Sequence, residues 1–114
     1  MSNAPFSESI KGLPRAEIPL PGVRGWLLQG SDHQVVFFEI EPIGEIPAHH
    51  HGEQWGVVVE GEMELTIGGV ARLYRAGDSY HVPAGVEHSA RVLTRVRAID
   101  FFADQDRYSA AQNP

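Results

Sequence analysis

Alternating apolar and polar positions predict short β-strands along most of the chain. The clearest segment is residues 62–67 (EMELTI), where Met63, Leu65 and Ile67 alternate with polar residues and so share one face of a strand. Similar short segments follow at even spacing, separated by glycine, proline and other turn-forming residues. We predict about nine strands, at 23–30, 33–42, 45–51, 53–60, 62–68, 71–77, 78–85, 87–93 and 95–103.

This strand pattern predicts an all-β fold, a sandwich or barrel. Two hairpins are expected, one turning at Glu60-Gly61 and the other at Gly68-Gly69. We place the barrel at residues 21–104 and an N-terminal arm at 1–20. Residues 105–114 are expected to form a C-terminal tail, either a weak helix or a frayed end.

Two strands carry apolar residues on both faces. They contain residues 35–38 (VVFF) and 57–59 (VVV). A chain of 114 residues has few elements of its own with which to cover both faces of such strands. We therefore expect a homodimer.

Composition excludes several classes of function. The net charge of −6, with arginines scattered along the chain, does not provide the basic face that nucleic acid requires. No apolar run approaches the roughly 20 residues of a transmembrane helix, and the N-terminal residues lack the pattern of a secretory signal. A cytoplasmic protein without a membrane or nucleic-acid partner is expected. The absence of cysteine excludes thiolate metal sites and disulfides.

Half of the six histidines form one run, His49, His50 and His51. In a strand, His49 and His51 would share a face and His50 would point away. Two imidazoles on one face form half of a metal site, and His88 lies on a separate strand that could fold back towards them. Without cysteine, such a site suits one divalent transition ion, Mn, Fe, Ni, Co, Cu or Zn. The alternative is a solvated histidine-rich turn.

Two motifs resemble those of the cupin superfamily. The spacing from Gly77 through Pro83 and Gly85 to His88 matches the second cupin motif, G(x)5PxG(x)2H, although its usual terminal Asn is replaced by Val92. The first motif, G(x)5HxH(x)3,4E(x)6G, is matched less closely, because both the leading glycine and the fourth ligand stand one residue nearer the histidine pair. The resemblance implies a small cupin β-barrel, or jelly roll, of two antiparallel sheets.

The resemblance also implies a ligand set of His49, His51, Gln54 and His88, with Gln54 where a glutamate is usual. A shifted register would use His50 but would replace the first ligand with Ala48. Glu53 is an alternative to Gln54. Three imidazoles and an amide would leave the ion its full charge, which favours polarising a substrate oxygen.

Asp100 is the candidate catalytic residue. In residues 95–103, it shares a face with Val96, Ala98 and Phe102. If that face lines the barrel, Asp100 is an inward carboxylate near the metal and a candidate general base. If the strand is turned over, Asp100 is a solvated residue.

The end of the chain resembles small cupins that open the rings of unsaturated uronates. Those proteins carry an Asp-x-Phe followed by an arginine, and the counterparts here are Asp100, Phe102 and Arg107, with Arg107 one residue further along than usual. The resemblance implies substrate-binding roles for Phe102 and Arg107, and ring opening or isomerisation of a small oxygenated or sugar-acid substrate. A metal-dependent dioxygenase and a non-catalytic module that binds a small ligand are the alternatives.

Overall fold

A computed structural model describes residues 5–111 of the chain. One short helix, α1 (Glu8–Lys11), precedes nine strands, so the strand pattern of the sequence is confirmed. The strands are β1 (Val23–Gln29), β2 (Gln34–Ile40), β3 (Gly44–His49), β4 (Gln54–Glu60), β5 (Glu62–Ile67), β6 (Val70–Arg75), β7 (Ser79–Val82), β8 (His88–Val92) and β9 (Val96–Phe102). No helix in the described residues is long and apolar enough to cross a bilayer.

The strands form two antiparallel sheets, which confirms the predicted fold class. One sheet has the order β1-β2-β9-β4-β7 and the other the order β3-β8-β5-β6. Their inner faces enclose the core, whose most completely buried members include Val36, Val58 and Val96. Met63 and Leu65 enter this core from β5, as their alternation predicts.

One of the two predicted hairpins is wrong. Gly68-Gly69 does join two paired strands, and both glycines take the positive φ of a tight turn. At Gly61, however, β4 ends in the five-stranded sheet and β5 begins in the four-stranded one. Gly61 has φ 84°, and a Cβ there would overlap the carbonyl oxygen of Arg95. Glycine is therefore required at this crossing between sheets.

The described ends of the chain pair with each other over the barrel. Ala16 forms a β-bridge with Ala110, Glu17 N donates to Ser109 O at 2.8 Å, and Ala111 N donates to Arg15 O at 2.7 Å. We call residues 14–20 and 105–111 together the terminal strap. The expectation of a helical or frayed tail is thus wrong for residues 105–111. Residues 1–4 of the predicted arm and 112–114 of the predicted tail lie outside the described part of the chain.

Gln34 anchors the terminal strap to β2. Its side chain is fully buried, its Nε2 donates to Tyr108 O at 2.8 Å, and its Oε1 accepts from Tyr108 N at 3.0 Å. The amide therefore pairs with Tyr108 as a neighbouring strand would. This contact holds the Tyr108 ring against Phe38 and Phe102, which are core residues.

The outer face of the five-stranded sheet carries exposed apolar side chains. Leu28, Trp55 and Phe101 are 48%, 46% and 37% exposed, and Trp55 and Phe101 are directly opposite each other in the sheet. Among residues 57–59, Val58 points inward and is 1% exposed, whereas Val59 is 44% exposed. A single chain therefore leaves part of this face uncovered.

Candidate metal centre

Three of the predicted ligands meet at one end of the barrel. His49 ends β3, His88 begins β8, and the two residues are paired across the sheet. His51 lies in the loop after β3, with its ring centroid 4.8 Å from that of His88 and 5.5 Å from that of His49. One nitrogen atom from each histidine lies within 4.8 Å of the other two. The cluster could hold a metal ion.

The strand-parity argument for the histidine pair is wrong for His51. β3 ends at His49, and its register against β8 is already irregular between Ile46 and His49. The loop, rather than an extended strand, therefore brings the His51 ring back towards His49. His50 is exposed, as expected, so the shifted register with His50 as a ligand gains no support.

Backbone carbonyls determine which nitrogen of each imidazole is free. The Nδ1 atoms of His49, His51 and His88 lie 2.8, 2.9 and 2.9 Å from the carbonyl oxygens of Pro47, Gly52 and Val86. Because a carbonyl oxygen can only accept, each Nδ1 carries the proton and donates. In the neutral form of each ring, Nε2 then keeps its lone pair, as a metal ligand requires.

Two of these Nε2 atoms have no other partner. Within residues 5–111, the Nε2 atoms of His51 and His88 are buried and accept no hydrogen bond. Burial lowers the pKa of His51 to about 4, and it also lowers the pKa of His88. Both imidazoles are thus neutral near pH 7. Unpaired buried acceptors are uncommon, and here they converge on one point.

Gln54, at the start of β4, supplies a further atom that could bind a metal ion. Its Nε2 donates to Asp100 Oδ1 at 3.1 Å, and its Oε1 is buried without a hydrogen-bond partner in the described structure. Because an ionised carboxylate only accepts, it holds the amide nitrogen on its own side and leaves Oε1 free. Glu53 instead lies 2.6 Å from His81 Nε2, with about half of each side chain exposed. Of the two alternatives, Gln54 is the one that lines the cavity.

These atoms fit a divalent transition metal. Three imidazole nitrogens and one amide oxygen form a donor set suited to ions such as Mn, Fe, Ni, Co, Cu or Zn. Calcium and magnesium prefer an all-oxygen set. The orphaned acceptors of His51, His88 and Gln54 gain a partner if the ion binds among them.

Asp100 faces the barrel interior, because it shares the inner face of β9 with Val96, Ala98 and Phe102. It is 2% exposed, and Tyr80 Oη donates to its Oδ1 at 2.7 Å. Burial raises the pKa of Asp100 to about 6. Burial and the neighbouring Asp100 raise the pKa of Tyr80, which keeps its proton and remains a donor.

The two oxygens of Asp100 are in different situations. Oδ1 accepts from both Tyr80 and Gln54, whereas no hydrogen bond to Oδ2 is found in the described residues. Gly56 lies against this pair, since a Cβ there would overlap both Asp100 Oδ1 and the Tyr80 ring. The carboxylate is thus held by one oxygen and retains the other for a further contact.

A cavity of about 310 Å³ joins the histidines, Gln54 and Asp100. Phe102 lines it and lies 5.5 Å from the His51 ring, centroid to centroid. Arg107 reaches the cavity from the terminal strap, with its guanidinium carbon 4.5 Å from the centre of the Tyr108 ring. Its Nε is buried without a hydrogen-bond partner in residues 5–111. All seven candidate site residues of the sequence analysis therefore line one cavity.

Sequence reasoning missed two contributors to the site. Tyr80 holds Asp100, and Tyr108 carries Arg107 on its ring face. The alternating sequence of β7, SYHV, does indicate an inward Tyr80. The structure agrees, since Tyr80 and Val82 are buried between exposed neighbours. Tyr108 lies in an irregular segment, where no periodic signal exists.

The fold and the histidine cluster define a two-sheet β-barrel with a candidate metal centre in its cavity. A family model described as a cupin domain matches residues 36–102. The chain is 39% identical over 83 residues to H2HPP isomerase of Bacillus subtilis, across 69% of this chain and 35% of that protein. It therefore spans about a third of the length of that relative. The chain belongs to the cupin family.

Solved structures agree with this assignment. An RmlC-like cupin from Shewanella frigidimarina NCIMB 400 is similar with a TM-score of 0.74 and 29% identity, over 94% of both chains. KdgF from a Halomonas species is similar with a TM-score of 0.69 and 23% identity, over 80% of this chain and 87% of that one. The likeness to KdgF is one of fold.

Proposed function

We propose that this cupin is a metal-dependent enzyme that isomerises or ring-opens a small oxygenated acid. The observation that carries the proposal is that three buried acceptor atoms without hydrogen-bond partners in the described structure converge with one buried carboxylate on a single cavity. His49, His51, Gln54 and His88 would hold one divalent transition ion. When bound, that ion supplies Lewis-acid polarisation of a substrate oxygen.

Asp100 would move the proton. Its Oδ1 is held by Tyr80 and Gln54, which leaves Oδ2 to take a proton from a substrate carbon and return it to another position. The pKa of about 6 makes Asp100 largely ionised near pH 7 but only weakly acidic when protonated. A base with a pKa near the working pH can both accept and release a proton.

Phe102 and Arg107 would position the substrate. Phe102 offers an apolar ring beside His51, and Arg107 offers a positive charge at the cavity wall. The guanidinium would pair with a substrate carboxylate. The isomerase name of the Bacillus subtilis relative supports proton transfer within one molecule, although that relative is much longer than this chain.

Metal binding is tested first by elemental analysis of purified protein. We expect about one equivalent of transition metal in the wild type and a large loss in His51→Ala and His88→Ala. His50→Ala is the matched control, because its side chain is exposed in the same segment, and it should keep the metal. Full retention of metal in both ligand variants would contradict the assignment.

The reaction is tested by turnover of unsaturated uronates and small 2-oxo acids, followed by proton NMR. We expect Asp100→Asn to retain the metal, because asparagine keeps the shape and the acceptor oxygen of Asp100. Loss of the general base should lower turnover by about 10²-fold or more. If oxygen is consumed instead, the activity is that of a dioxygenase; if no compound is turned over, the chain is a binding module.

The uncovered outer face of the five-stranded sheet supports a further proposal, that the protein is a homodimer. Leu28, Trp55 and Phe101 would be covered by a second copy of the chain. This arrangement leaves the metal centre free, since the histidines lie on the inner side of the barrel.

A further inference from the structure

The cavity has two chemically different regions. Its polar region is formed by the three histidines, Gln54, Asp100 and Tyr80. The rest of the wall is almost entirely hydrocarbon and is drawn from both sheets and the terminal strap. It includes Ile18 and Leu20 of the terminal strap, Phe38 and Ile40 of β2, and Met63 and Leu65 of β5.

Few polar groups in this wall can serve a substrate outside the metal centre. Tyr80 Oη is already engaged with Asp100, and the remaining polar side chains are Ser89, Arg107 and Tyr108. A sugar acid carries a hydroxyl group on most of its ring carbons. Each hydroxyl buried without a partner costs about 1–3 kcal/mol, the free energy of its lost hydrogen bonds to water. The wall therefore disfavours a polyhydroxylated ring and favours a hydrocarbon one.

Arg107 is the one cation among the described residues that line the cavity. No salt bridge to Arg107 is found in residues 5–111. Its guanidinium carbon lies 5.9 Å from the centre of the Phe102 ring, which also lines the cavity. A carboxylate bound here would offset the charge of Arg107 and accept from the buried Nε, which has no partner in the described structure.

We infer that the substrate is a small monocarboxylic acid with a hydrocarbon body and one further oxygen for the metal. This inference rests on the proposed function, since it concerns the same cavity. The carboxylate pairs with Arg107, the second oxygen faces the histidines, and the body packs against the wall formed by both sheets. A cavity of about 310 Å³ has room for a body of at least one six-membered ring.

The test uses two acids that differ only in their hydroxyl groups. Tetrahydropyran-2-carboxylate has the ring, ring oxygen and carboxylate of glucuronate but none of its hydroxyls. We expect isothermal titration of the Zn²⁺-loaded protein to give at least about tenfold tighter binding of the deoxygenated acid, from the desolvation cost of the hydroxyls. Equal or tighter binding of glucuronate, or no binding of either acid at millimolar concentration, would overturn the inference.

The carboxylate contact is tested with the methyl ester of the same ring. The wild type should bind the acid at least about tenfold more tightly than the ester, because only the acid pairs with Arg107. Arg107→Met should abolish that difference. Arg72→Met, which removes an exposed arginine from β6, should preserve it. Equal binding of acid and ester by the wild type contradicts the inference.

These titrations are separable from the test of the proposed function. Zinc uptake by the wild type and its loss in His51→Ala are measured without any acid. A protein that binds zinc but prefers glucuronate contradicts only the substrate class. A protein in which the histidine variants keep their metal contradicts the proposed function itself.

Discussion

Asp100 combines complete burial with only partial hydrogen bonding. Two donors reach Oδ1, yet the pKa of the carboxyl is still raised to about 6, because burial outweighs both hydrogen bonds. The folded protein therefore takes up this proton more readily than the unfolded chain, in which the ordinary pKa is 3.8. The ionised carboxylate costs stability, and that cost appears as pH rises from 3.8 and is complete above about 6.

Asp100→Asn should therefore stabilise the metal-free protein in a pH-dependent way. The gain should reach up to about 3 kcal/mol at pH 8 and fall below about 1 kcal/mol at pH 4, where the folded wild type is protonated. Urea unfolding at the two pH values measures it. Asp106→Asn, at an exposed position, is the control and should change little at either pH. A gain that is the same at both pH values would show that the buried charge is not its cause.

Gly56 provides the space in which Asp100 and Tyr80 meet. Gly56→Ala places a methyl group where Asp100 Oδ1 and the Tyr80 ring now lie, so one of them must move. Because Asp100 also orients the Gln54 amide, we expect both a loss of stability of about 1–3 kcal/mol and at least a tenfold loss of metal affinity. Unfolding and metal titration measure the two effects.

The control for this variant is Gly12→Ala. Gly12 has an ordinary φ of −81°, and a methyl group there would come no closer than 3.4 Å to its nearest contact, the Glu8 carbonyl oxygen. It lies directly after α1 and does not line the cavity, so the variant should retain normal metal affinity. Unchanged metal affinity in Gly56→Ala would mean that the Gln54 amide is not oriented through Asp100.

At the scale of elements, alternation in the sequence predicted the strands but not how they pair. Alternation reports which face of a strand is buried, and that is local information. The turn at Gly61 resembles a hairpin in sequence, yet the partners of β4 are β7 and β9, and those of β5 are β6 and β8. Pairing of this kind depends on contacts between distant segments, which a single sequence does not display.

The candidate site was predictable to a similar degree. Motif spacing identified His49, His51, Gln54 and His88. The pattern of β9 left two orientations of Asp100 open, one towards the barrel interior and one towards solvent. The structure selects the inward one. The carbonyls that fix the imidazole tautomers, and the contact of the tail with the cavity, depend on backbone placement in loops and could not be predicted.

The contact between β2 and the terminal strap depends on one side chain, Gln34. Gln34→Leu would leave the part-buried N–H and C=O of Tyr108 without their partners, and a buried group that loses its partner costs about 1–3 kcal/mol. We expect a loss of at least about 2 kcal/mol in the free energy of unfolding. Gln105→Leu, which changes an exposed side chain of the same strap, should have little effect. Equal stability of the two variants would contradict the anchoring role.

At the scale of the whole molecule, the exposed apolar face of the five-stranded sheet predicts a dimer. Light scattering at micromolar concentration should give twice the mass of the chain. Phe101→Glu should shift the protein towards monomer, because it places a charge beside Trp55 in the uncovered face. Val70→Glu is the control, since Val70 is 58% exposed but lies on the other sheet, and it should leave the mass unchanged. A wild type with the mass of one chain would contradict the prediction.

The terminal strap connects part of the cavity wall to two segments that are far apart in the sequence. Ile18, Leu20 and Arg107 are parts of the cavity wall, yet they belong to segments that hold each other through the amides of Glu17 and Ala111. Opening either segment removes hydrogen bonds from the other, so the two should open together. A small acid bound against this wall would therefore slow hydrogen–deuterium exchange at both amides in parallel, although they are 94 positions apart in the sequence (111 − 17).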